Sequence, residues 1–150
     1  MNPFEELMAD FAEKTGLETG GPGADSIDVE ADGVVVSAQY RAERDDCVIF
    51  SLPLEDAIPN GPMLRRALEL AANGAGTGGH FLGLKEGMFM LSAVLPLVGL
   101  SAEEFGKRLL ALAAASKRVA DALLRASTEG NEGAKDVHPQ IQGDNDFMRV

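Results

Sequence analysis

Gly74, Gly76 and Gly79 fall in the spacing G-x-G-x-x-G, which in a dinucleotide site lets backbone amides close on a pyrophosphate. That chemistry needs the glycines after a strand and at the opening of a helix, so that free helix amides meet the anion. Here they follow a stretch of helical periodicity and lead into an apolar run, the reverse order. His80 and Phe81 stand where a phosphate-binding loop would need Lys and then Ser or Thr, so the loop reads as a flexible connector. His80 and His138 are the only histidines, too few to build a zinc site without carboxylates. Cys47 sits inside an apolar strand with no histidine near it in sequence, the setting of an inert buried thiol rather than a nucleophile. Carboxylates are plentiful, but a general acid and base need a pocket that drives two pKa values apart, and no pattern in the sequence marks one. The expectation is a protein with no catalytic residues, no metal and no cofactor.

Cys47 being the sole cysteine also excludes an intrachain disulfide. The chain has 150 residues, 45 % of them hydrophobic, enough for one core and a tail. The net charge of -11 and pI near 4.5 argue against nucleic acid, whose phosphates need a surface of Lys and Arg. Before Arg41 the only basic side chain is Lys14, set among Glu5, Glu6, Asp10, Glu13, Glu18, Asp25, Asp28, Glu30 and Asp32. Such a run reads as a solvated face, with a site for a basic ligand as the alternative. No basic leader precedes an apolar run, and no stretch approaches the roughly 18 apolar residues of a membrane span, so cytoplasm is the expected compartment and no membrane insertion is expected.

The elements follow from caps, turns and periodicity. Asn2 can cap a helix that has Pro3 at its first position, Glu5 and Glu6 in its first turn and Gly16 as its stop. Its stripe of Phe4, Leu7, Met8 and Phe11 has two readings: core packing, or a half-covered groove for a partner. Polar and apolar residues alternate from Ser26 to Ala31, Asp32-Gly33 is a hairpin turn, and Val34 to Tyr40 and Cys47 to Leu52 complete a three-stranded meander. After the breaker cluster Ile58 to Pro62, Met63, Leu64, Ala67, Leu68, Ala71 and Ala72 carry a second helix. A second hairpin turns at Lys85-Glu86-Gly87. Ser101-Ala102-Glu103-Glu104 is a capping box that opens a long helix with Phe105, Leu109, Leu112, Val119 and Leu123 on its apolar stripe. The predicted class is α+β, an antiparallel five-stranded sheet and three helices in the order α-βββ-α-ββ-α, with residues 1–126 as the domain and 127–150 as a disordered tail.

The succession from Phe4 to about Leu124 resembles the class I type III secretion chaperones, the Tir chaperone family. It is carried by the first helix running to Gly16-Leu17, the Asp32-Gly33 hairpin and Phe50-Ser51-Leu52-Pro53-Leu54. It continues through Leu68-Glu69-Leu70-Ala71-Ala72-Asn73, Leu82-Gly83-Leu84, Leu95-Pro96-Leu97 and Leu100-Ser101-Ala102-Glu103-Glu104-Phe105. The resemblance implies a homodimer that binds the N-terminal segment of a secreted effector protein in extended form, keeping it unfolded and secretion-competent without ATP. Carried onto this chain, Phe4, Leu7, Met8 and Phe11 become candidate effector contacts, and Leu64, Leu68 and Ala71 candidate dimer contacts. A regulatory or protein-interaction module of the same fold, not tied to secretion, is the alternative.

Overall fold

The structure, a computed structural model, describes side chains for residues 1–21 and 23–129. Helix α1 (Pro3–Thr15) starts as its sequence demands: the Asn2 side-chain oxygen Oδ1 accepts from the Glu5 amide at 2.8 Å. It ends where Gly16 turns left-handed at φ 75° and donates its N–H to the Ala12 carbonyl. Strands β1 (Ser26–Ala31) and β2 (Val34–Arg41) are joined by Asp32 and Gly33, both at positive φ, the two-residue turn whose twist suits a hairpin. A short 3-10 turn, Ala42–Arg44, leads to β3 (Asp46–Ser51).

Helix α2 (Gly61–Ala71) is capped by Asn60, whose side-chain oxygen accepts from the Met63 amide at 3.0 Å. The same side chain donates to Ser127 Oγ at 2.9 Å and so ties the start of α2 to the third helix. Strands β4 (Phe81–Lys85) and β5 (Met88–Pro96) meet through Glu86 and Gly87, again both at positive φ. Helix α3 (Ala102–Met148) opens with Ser101 Oγ accepting from the Glu104 amide at 3.1 Å. The tail expected over 127–150 lies, from residue 130 onward, outside the described residues, as does His138.

The five strands form one antiparallel sheet in the order β1-β2-β3-β5-β4, so β1 and β4 are its edges. This is the predicted class and element order. Alternation along the strands places Ile27, Val29, Val36, Ala38, Cys47, Ile49, Leu91 and Leu95 on one face, where α1 and α3 cover them. Phe105, Leu109, Leu112, Val119 and Leu123 supply the helix side of that core and are all buried. Phe11 meets Phe105 edge to face at 5.1 Å, and Phe4 stacks on Tyr40 at 5.5 Å, which locks α1 to both α3 and the sheet. The opposite sheet face carries Val35, Val48, Phe50, Met90 and Val94, half-buried or exposed.

Candidate functional site

The groups capable of chemistry are spent on structure. Cys47 is fully buried, and burial pushes its thiol up to about 12, far from the thiolate a nucleophile requires. Asp46 accepts two hydrogen bonds from the Arg41 guanidinium, at 2.7 and 2.8 Å, and these hold its carboxyl below the ordinary carboxylate value. The pair fastens the end of β2 to the start of β3. His80 lies with Nδ1 2.8 Å from the Thr77 carbonyl oxygen, a contact internal to its own loop. Among the described residues no cluster of His, Cys, Asp and Glu has the grouping of a metal site.

The glycine loop between α2 and β4 is a connector, as its position implied, yet it is packed rather than loose. Thr77 is fully buried and its hydroxyl bridges the carbonyls of Gly74 and His80. A Cβ on Gly76 would stand 2.8 to 2.9 Å from the side chain and backbone of Leu70, so this glycine permits a close approach to α2 rather than to a phosphate. Sequence spacing alone could not separate those two uses of a glycine.

What remains is surface. The α1 stripe of Phe4, Leu7, Met8 and Phe11 is buried within the protomer. Met8 alone among them lines a shallow groove, formed with Glu5, Ala9, Thr19, Gly20, Gly21 and Ala24. Edge strand β1 begins two residues after Ala24; its outward side chains Asp28 and Glu30 are exposed and its inward ones are buried. The α2 candidates lie the other way out: Leu64 is 38 % exposed, Leu68 75 %, and Ala71 is exposed, while Met63 and Leu70 turn into the core. At i, i+4 and i+7 the three make one apolar stripe along the helix. Leu84 on edge strand β4, paired with buried Phe89 and therefore on the same side of the sheet as α2, is 53 % exposed. Leu64, Leu68 and Ala71 thus share one exposed stripe, and Leu84 is a further exposed apolar side chain, on edge strand β4.

No curated protein sequence matches the chain. Solved structures match its fold. A chain of the HopA1–SchA chaperone–effector complex aligns with TM-score 0.60 and 19 % identity over 79 % of this chain and 94 % of that one. A chain of the ExoT–SpcS complex from Pseudomonas aeruginosa aligns with TM-score 0.57 and 17 % identity over 78 % and 97 %. A chain from the Yersinia pestis type III secretion chaperone SycH in complex with a stable fragment of YscM2 does so with TM-score 0.57 and 20 % identity over 75 % and 96 %. No described helix is long and apolar enough to cross a membrane. The model of the Tir chaperone protein (CesT) family matches residues 6–120, from the middle of α1 through most of the buried stripe of α3, and the chain belongs to that family.

Proposed function

We infer that this protein is a type III secretion chaperone and not an enzyme: a homodimer that binds the N-terminal segment of a secreted effector and keeps it soluble, partly unfolded and ready for export. The observation that carries the reading is the pairing of family membership with two unpartnered surfaces, the α2 stripe and the β1 edge. The exposed apolar stripe of Leu64, Leu68 and Ala71 suits a twofold contact, in which the same patch meets itself. The β1 edge offers backbone donors and acceptors that an extended segment can use whatever its sequence, and the groove at Met8 offers a place for one of its side chains. Phe4, Leu7 and Phe11 act from beneath, fixing α1 as the wall of that groove. Solved relatives in chaperone–effector complexes support an effector as the partner.

The test is genetic and proteomic. Deleting the gene in the native host is expected to remove one or a few proteins from the secreted fraction, with return on complementation. A secreted profile unchanged by the deletion contradicts the reading and favours a regulatory module of the same fold.

A further inference from the structure

A groove wider than the one at Met8 lies away from both α1 and α2. It opens at the far end of the sheet, between the β1–β2 hairpin, the segment Leu52 to Ala57 and the outer side of α3, with a volume of about 700 Å3. Its origin is a mismatch of strand lengths. Strand β2 pairs with β1 from Val34 onward, but its ladder with β3 begins only at Ser37, opposite Phe50. Beyond Ser51 the chain turns away at Pro53, which has no N–H to extend a ladder.

The two-residue turn at Asp32 and Gly33 makes Ala31 and Val34 a hydrogen-bonded pair, so the N–H and C=O of Val35 point away from β1 toward the missing partner. The walls are apolar, with Val34, Leu54 and Leu124 facing the gap, while the buried hydroxyls of Ser51 and Ser116, 2.9 Å apart, form a polar floor. The rim is acidic. Lys117, its one cation, is held by Asp32 at 3.0 Å, leaving Asp28, Glu55 and Asp56 exposed around the opening.

We propose that this groove takes a short extended segment of the client, which pairs through its backbone with Val35, buries an apolar side chain against Leu54 and Leu124, and sets a lysine or arginine among Asp28, Glu55 and Asp56. The proposal rests on the client-binding reading above and adds to it a second contact region and a charge preference. Backbone pairing at Val35 would be sequence-tolerant; the acidic rim is where one client is told from another.

The probe is a pair of short peptides in which leucine alternates with lysine or with glutamate, each titrated into the isotope-labelled full chain and followed by amide chemical shifts. The lysine peptide is expected to shift residues 33–35, 52–57 and 116–124, and to bind about tenfold tighter than the glutamate peptide. Glu55→Lys combined with Asp56→Lys, both at exposed positions, reverses that order and leaves the unfolding midpoint unchanged. Equal binding of the two peptides, shifts confined to β1 or α2, or no binding overturns the proposal. Shifts at the groove that follow protein concentration without peptide assign it to a second copy and overturn it equally. If the charge-reversed chaperone holds its client as tightly as the parent, the groove assignment falls while the chaperone reading stands. A deletion that leaves secretion unchanged removes the reading itself.

Discussion

Replacing Leu68 by alanine separates a subunit contact from a core position with one turn of helix as the ruler. Leu68 is 75 % exposed in the protomer and Leu70, two residues on, is 8 % exposed. Fully burying a leucine is worth about 1.5–3 kcal/mol, so covering the exposed three quarters of Leu68 contributes about 1–2 kcal/mol. A twofold contact uses the residue twice, which brings the loss on truncation to about 2–4 kcal/mol and weakens the dimer by about 30- to 1,000-fold. Sedimentation equilibrium over a range of concentrations reads that change directly, and the unfolding of the dilute monomer should not move. Leu70→Ala should do the opposite, removing about 2–5 kcal/mol of folding stability by opening a cavity beneath α2. A Leu68→Ala protein whose dissociation constant stays within a few-fold of the parent's would refute the assignment of the α2 stripe to self-association.

The remaining predictions concern groups that hold the scaffold. Cys47 should resist a thiol reagent at pH 8 and become labelled only at the rate of unfolding; immediate labelling of the native protein would contradict its burial and its raised pKa. Asp46 has a folded-state pKa below its unfolded value because Arg41 hydrogen-bonds the carboxylate, so the pair stabilises above the unfolded pKa and that share is lost as pH falls through the folded one. Urea midpoints followed from about pH 5 to 2 should therefore fall less steeply in Asp46→Asn than in the parent, from a lower starting stability. Gly76→Ala places a methyl group against the backbone of Leu70, which has no flexible end to yield, and should destabilise by about 1–3 kcal/mol in thermal or urea unfolding.

The architecture was legible because its signals are local. Asn2, Asn60 and Ser101 are caps whose function depends on residues three positions away, and both hairpins turn on an acidic residue followed by glycine. The surfaces were less so. The stripe of α1 and the stripe of α2 have the same periodicity, yet one is covered by α3 and the sheet and the other is left exposed; only the packing of distant elements separates them. Leu84 was not among the candidate contacts because its exposure depends on β4 being an edge, a property of strand order. The hairpin-end groove draws on both hairpin strands, the segment after β3 and α3, and arises from a register offset that no window of sequence contains. The glycine loop shows the converse case: a recognisable spacing whose physical cause, the approach of Gly76 to Leu70, lies in helix packing.

The central claim is that two copies of this chain hold one extended client segment. Native mass spectrometry of the chaperone with the N-terminal segment of the protein lost from the secreted fraction, joined to backbone hydrogen exchange on the same complex, tests it most directly. The account predicts two chaperones to one client, with slowed exchange along β1 and fast exchange in the client outside its bound stretches. A one-to-one complex, or a client folded to uniform protection, would contradict it.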